Sequence, residues 1–219
     1  LIIDIGKRMH LTGYVLTIPS TPTQLCMALR KYLRDGKVTD ITQHEFERIV
    51  LLHIEASKGK FQLVIEIFSK GNLILVGEDQ KILLAAKYAR MRDRDIVRNG
   101  RFVHAPSSGI NPLKVSRNDI ELLRSSEPML AVIQLTRLLA VGGLYAREIL
   151  LRAKVDGKTP SNQLSDTQLD AIHASIETLA SDLKSQKIRP QILIDQTGTS
   201  FTVQPFPLRI YGGMKSVDY

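Results

Sequence analysis

The feature that most constrains the fold is a change in the spacing of apolar residues about halfway along the chain. Up to about residue 105, short alternations of apolar and polar residues are separated by turn residues, which is typical of antiparallel strands. After residue 113 the apolar residues follow a helical spacing. Between these regions, residues 106–109 read Pro-Ser-Ser-Gly and have linker composition. We predict an α+β chain with a β domain (1–105), a linker (106–112), an all-helical domain (113–188) and a strand-like return segment (189–219).

Within the β domain, the pattern predicts a small, sandwich-like antiparallel sheet and one helix. The helix has Thr21 as its N-cap, Pro22 as its first residue and Gln24 closing a capping box, and it ends near Arg34. Turn sequences separate four strands, predicted over residues 46–55, 61–68, 72–76 and 82–88.

In the second half, four helices are predicted before the chain returns to strand-like alternation. The first three cover about 116–124, 128–139 and 144–153. The fourth begins with a capping box formed by Ser165 and Gln168, and its apolar stripe is Leu169, Ile172, Ile176, Leu179 and Leu183. We expect the return segment to pair back onto an earlier unit.

Charge favours a polyanionic partner. Lys and Arg number 30 against 22 Asp and Glu, giving +8, and residues 1–105 hold 17 of these basic residues against 11 acidic ones. A positive electrostatic field on one part of a protein raises the local concentration of nucleic acid. The basic excess is also explained by ordinary solubility. Cys26 has no partner for an internal disulfide, and five scattered histidines predict no metal site and no cofactor. With no long apolar run and no signal-peptide layout at the first residues, we expect a cytoplasmic protein without membrane contact.

Three basic clusters and one glycine pair are the candidate RNA contacts. The clusters are Lys7, Arg8 and His10; Arg30, Lys31 and Arg34; and Arg90, Arg92, Arg94 and Arg98. Few aromatic residues accompany the last cluster, which favours contact with the sugar-phosphate backbone over base stacking. Each cluster alone is also compatible with a solvated surface. Gly142 and Gly143 start a helix, where free N–H groups bind anions, or they only permit a tight interhelical turn.

Several sequence blocks, in the same order, resemble the NFACT family of ribosome-quality-control proteins. In the first half these are KRMHLT at residues 7–12, CMALRKYL at 26–33, ERIV at 47–50, and EIF at 66–68 with GNLIL at 71–75. In the second half, LAVGGLYAREILLRA at 139–153 resembles the family's helix-two-turn-helix module. That module and a related sheet domain also occur in formamidopyrimidine-type DNA glycosylases.

The resemblance implies binding to a stalled large ribosomal subunit that carries peptidyl-tRNA, with rRNA and tRNA as partners. It also implies help in recruiting tRNA, typically alanyl-tRNA, for template-free extension of the stalled chain. Glu47 and Arg48 match the family's Asp-Arg pair implicated in tRNA handling, with Glu in place of Asp, or they form only a structural ion pair. A coiled-coil arm after the helical domain, and a strand-helix segment before residue 1, are further expectations from the family.

Two other classes of function remain as alternatives. A DNA-repair glycosylase of the related type would need an N-terminal proline followed by glutamate, and cysteines for a zinc finger, whereas this sequence opens at Leu1 and has one cysteine. No phosphate-loop or nucleophile motif is present either, so we predict that the chain is not an enzyme. A fibronectin-binding adhesin would need export, for which the sequence gives no signal.

Overall fold

The chain divides into two compact units, Leu1–Ser107 and Ser108–Tyr219. The computed structural model describes residues 1–15, 17, 19–68, 70–124, 129–185 and 188–218. Each unit has its own apolar core and is described separately.

The first unit is built on a five-stranded antiparallel meander. A hairpin of β1 (Ile2–Asp4) and β2 (Arg8–His10) comes first, followed by helix α1 (Gln24–Leu33). The meander then runs in sequence order through β3 (Lys37–Gln43), β4 (Ile49–Ala56), β5 (Gly59–Glu66), β6 (Asn72–Gly77) and β7 (Ile82–Ala85). A short hairpin of β8 (Ala89–Arg90) and β9 (Asp95–Ile96) ends the regular structure.

Both faces of this sheet are apolar and covered, which explains why β6 is buried at every position. On one face, Leu29, Tyr32 and Leu33 of α1 and residues of the N-terminal hairpin pack against the sheet. On the other face, Ile96 and Phe102 close the core. The second layer of the expected sandwich is therefore a helix with small hairpins rather than a second large sheet.

Three details of the first unit differ from the sequence prediction. The N-cap is Thr23 rather than Thr21, because the Thr23 hydroxyl accepts the N–H of Cys26 at 3.2 Å, so Pro22 lies before the helix. Strand β4 begins at Ile49, not at residue 46. Strand β3 was missed because it is a polar edge strand with almost every residue exposed. Its pairing with β4 also shifts between Val38 and Asp40.

In its described residues, the second unit consists of four helices followed by a small sheet. Its helices are α2 (Arg117–Ile120), α3 (Ala131–Leu138), α4 (Gly143–Arg152) and α5 (Asp166–Lys184), with 3-10 turns at Glu121–Leu123, Ser161–Gln163 and Arg209–Tyr211. Its strands are β10 (Gln191–Ile194), β11 (Ser200–Gln204) and β12 (Lys215–Asp218), with β10 in the centre. The predicted capping box of Ser165 and Gln168 is confirmed, and the predicted start at residue 128 lies outside the described residues.

The return segment had been expected to pair back onto an earlier unit. Within the described ranges its strands pair with one another and with no other strand. Phe206 and Leu208 enter the core formed by the helices, so the contact with the preceding helices is made by side-chain packing. The carboxylate of Glu148, on α4, is fully buried and accepts the backbone N–H groups of Arg209 and Ile210 at 3.0 and 2.9 Å. Arg152 Nε donates to the same carboxylate at 2.6 Å, so a buried charge ties α4 to the end of the chain.

Candidate nucleic-acid interface

Glu47 and Arg48 lie in the turn between β3 and β4, outside any regular strand. The turn is closed by an N–H of Glu47 that donates to the carbonyl of His44 at 3.0 Å. The Ser107 hydroxyl donates to the Glu47 carboxylate at 3.2 Å, and the carbonyl of Arg48 accepts the N–H of Ile67 at 2.8 Å. Hydrogen bonds therefore fix the backbone of the turn and the Glu47 carboxylate, while the Arg48 side chain is exposed. A planar guanidinium presented in this way suits a phosphate or an unstacked base.

Two stacked histidines lie next to this turn, and no local sequence pattern pointed to them. The rings of His44 and His104 are nearly parallel, with centroids 3.8 Å apart, and Phe102 meets His104 edge-on at 4.8 Å. Burial, followed by the charges of His44 and Arg94, lowers the pKa of His104 below its ordinary value. These surroundings disfavour the protonated form of His104.

Arg94 is the predicted RNA contact that the structure contradicts. Its guanidinium lies 2.6 Å from the carboxylate of Glu66, and the two side chains are only 6% and 4% exposed. A buried cation needs such a partner, since burying it alone would be very costly. Arg90, Arg92 and Arg98 are exposed, so this segment presents fewer cations to a ligand than its sequence suggests.

The N-terminal hairpin presents Lys7, Arg8 and His10 at the surface. Lys7 and Arg8 lie 3.8 and 3.9 Å from the carboxylate of Asp4, which offsets part of their charge. The hairpin is fixed by a contact between backbones: a Cβ built on Gly71 would lie 2.2 Å from the Gly6 nitrogen. Both glycines have positive φ, 79° for Gly6 and 61° for Gly71, a conformation that other residues rarely adopt.

Helix α1 presents Arg30, Lys31 and Arg34 on its exposed side, as its sequence pattern predicted. They line an open groove of about 420 Å³ whose opposite side is the turn between β4 and β5. That turn contributes Lys58, which the sequence did not associate with the helix because 24 positions separate it from Arg34. We call this feature the α1 groove; it is lined by Met27, Arg30, Lys31, Tyr32, Arg34, Asp35, Ser57 and Lys58.

Gly142 and Gly143 form the start of α4, with Gly142 as the N-cap. Neither has a positive φ. A Cβ built on Gly142 would meet no described atom within 4 Å, and one on Gly143 only a terminal nitrogen of Arg147 at 3.8 Å. A tight turn is therefore not what requires glycine at these positions. Tyr145, in the first turn of the same helix, packs against the core near Phe206.

The part of the chain that the structure describes contains neither a cluster of metal-ligating residues nor a helix suited to cross a membrane. Its His, Cys, Asp and Glu residues form no group of three that could hold a metal ion. None of its helices combines the length and the apolar character that a membrane crossing requires.

Comparison with known proteins adds a decisive observation to this geometry. The NFACT N-terminal and middle domains match residues 1–218 of the chain. The chain belongs to the NFACT family. Among NFACT relatives, the archaeal Rqc2 homolog aRqcH of Methanocaldococcus jannaschii is 29% identical over 226 residues. That match covers 100% of this chain and 33% of the relative, so the chain spans about a third of that protein's length.

A second relative is similar in sequence, and two solved structures share the fold. The Rqc2 homolog RqcH of Bacillus subtilis is 28% identical over 164 residues, covering 69% of this chain and 29% of the relative. The fibrinogen binding protein of Staphylococcus aureus shares the fold, with a TM-score of 0.70 at 19% identity over 91% of this chain and 72% of that one. The N-terminal part of the fibronectin/fibrinogen-binding protein of Streptococcus suis gives 0.63 at 23% identity, over 92% and 70%.

Proposed function

We propose that this chain acts in ribosome quality control as a non-catalytic, RNA-binding part of a larger NFACT protein. The observation that carries the proposal is the match of the whole chain to a relative named as an Rqc2 homolog. Yeast ribosome quality control complex subunit 2, which is 38% identical over 82 residues covering 37% of this chain and 8% of that protein, supports the same role. The proposed place of action is the cytoplasm.

In the proposed activity, the chain binds a stalled large ribosomal subunit carrying peptidyl-tRNA and helps recruit alanyl-tRNA for template-free tailing. Exposed cations on the N-terminal hairpin, on α1 and around β8 and β9 would contact the rRNA and tRNA backbones. Arg48, held on a fixed turn beside Glu47, is the residue proposed to handle tRNA. The second unit, proposed to be a helix-two-turn-helix module, would add phosphate contacts through the start of α4.

The proposal is tested by measuring tRNA affinity and co-sedimentation with large ribosomal subunits over a series of salt concentrations. We expect the logarithm of the association constant to fall linearly with the logarithm of salt concentration, by about 0.9 for each neutralised phosphate. Arg48→Ala should weaken tRNA binding by about 1–3 kcal/mol, or roughly 5-fold to 150-fold. Arg189→Ala removes another exposed arginine, from the second unit, and is the matched control. Affinity that does not change with salt would exclude backbone recognition.

Adhesion is a second candidate, because the two solved neighbours are described as fibrinogen- or fibronectin-binding proteins. Surface binding measurements with immobilised fibronectin and with tRNA, on the same protein preparation, separate the two functions. We expect saturable binding to tRNA alone. Incubation with a duplex containing an oxidised base tests the glycosylase alternative, and we expect no strand scission.

A further inference from the structure

We propose that the α1 groove is a binding site for the phosphodiester backbone of RNA, and that Lys58 is one of its contact residues. This inference rests on the proposed RNA-binding function, but it assigns a particular surface to it. Four cations, contributed by two separate elements of the first unit, face one open groove together with a single carboxylate, that of Asp35. No sequence pattern had associated Lys58 with this cluster.

The groove is held in place by the sheet and not by flexible side chains. Lys37 pairs with Glu55 and Val38 with Ile54, so the chain leaving α1 runs directly beside the end of β4. Gly36 packs so closely there that an added Cβ would lie 3.0 Å from Ile54 Cγ2 and 3.2 Å from the Cβ of Ala56. The end of the helix and the turn carrying Lys58 therefore have a fixed separation.

The charge in the groove is not neutralised by the protein. Within the described ranges, none of the four cations forms an ion pair with a carboxylate. Cations in the last turn of a helix are favoured by its dipole, which accounts for Arg30 and Lys31. It does not account for Lys58, which lies on a different element. Like charges gathered around a concave surface raise the local concentration of a polyanion.

The shape of the groove favours a backbone ligand over a base. Tyr32 is its only aromatic lining residue, and that ring packs edge-on against Phe61 at 5.8 Å, with the Lys31 ammonium 6.0 Å from its centroid. Tyr32 is therefore engaged by its own neighbours and is not a free stacking platform. Cations with little aromatic surface bind nucleic acid through phosphates, with little dependence on base sequence.

The test measures tRNA affinity for wild type, Lys58→Gln and Lys60→Gln across a salt series. Lys60 is exposed and only two residues from Lys58, but it does not line the groove. We expect Lys58→Gln to weaken binding roughly fivefold to tenfold near 0.1 M salt, and to reduce the salt slope by about 1. Lys60→Gln should leave both quantities close to wild type. Because both lysines are exposed, the variants should fold equally well, which circular dichroism verifies.

Asp35→Asn gives a gain-of-binding test of the same groove. Asp35 has a φ of 58°, which Asn tolerates well, so the substitution removes a negative charge with little backbone strain. We expect tighter binding, to the same degree for poly(A) and poly(U). Equal effects of Lys58→Gln and Lys60→Gln, or an effect confined to one homopolymer, would overturn this inference and leave the proposed function standing. Failure of the wild type to bind any RNA would instead overturn the proposed function.

Discussion

The buried carboxylate of Glu148 gives the most quantitative stability prediction for this protein. It is fully buried and accepts three N–H groups, from Arg152 Nε and from the backbone of Arg209 and Ile210. Glu148→Gln keeps the size of the side chain but removes its charge. The side-chain amide of glutamine also points an N–H group toward one of these three N–H groups. That N–H group is then left without an acceptor.

The expected loss follows from these contacts. A hydrogen bond to a charged group contributes about 1.5–3 kcal/mol. Removing one partner of a buried ion pair costs about 3–5 kcal/mol, because the other charge stays buried. This cost applies here, since the Arg152 side chain is only 13% exposed. We therefore expect Glu148→Gln to lower the free energy of unfolding of the second unit by about 3–5 kcal/mol.

Urea unfolding followed by circular dichroism at 222 nm suits this prediction, since helices α2 to α5 lie in the second unit. With a slope of about 2 kcal/mol per molar urea, the midpoint should fall by roughly 1.5–2.5 M. The control Glu177→Gln changes the same residue type on α5, where the side chain is 67% exposed, and should change the free energy by less than about 0.5 kcal/mol. A loss below about 1 kcal/mol for Glu148→Gln would refute the reasoning.

Two further predictions concern the first unit. Gly71→Ala places a Cβ against the backbone of Gly6 and forces a left-handed conformation on alanine; it should destabilise the unit by at least about 1 kcal/mol and speed hydrogen exchange in the β1–β2 hairpin. An unchanged hydrogen-exchange rate would show that the contact between Gly71 and Gly6 does not hold the hairpin. The pKa of His104 is lowered in the folded state, so the unfolded chain binds more protons. Stability is then fully present above the ordinary histidine pKa and is lost as pH falls through the lowered folded value. His104→Asn should reduce the loss measured by urea unfolding between about pH 7 and pH 5, and an unaltered pH profile would contradict this assignment.

Features set by neighbouring residues were predictable from the sequence. The capping box of Ser165 and Gln168 spans one helical turn, and the apolar stripe of α5 follows from its spacing alone. Thr21 and Thr23 are both acceptable caps by residue type. The choice between them depends on which hydroxyl reaches the N–H of a residue in the first turn, and that residue is Cys26.

Features set by distant residues were not predictable from local patterns. Arg94 looks like its exposed neighbours in the sequence, but its partner Glu66, at the end of β5, pairs with it away from the surface. Lys58 joins the α1 groove only because of the register between β3 and β4. The stacking of His44 and His104 likewise brings together two residues that are 60 positions apart.

The polar edge strand β3 has a consequence for the behaviour of the protein at high concentration. An edge strand offers unpaired backbone groups to which a neighbouring molecule can add its own strand, and this is a common route to aggregation. In β3, Lys37 and Asp40 would bring charge to such a pairing, and the irregularity between Val38 and Asp40 breaks the straight row of donors and acceptors. Although both faces of the sheet are apolar, its β3 edge can therefore stay exposed to solvent without pairing with strands of other molecules.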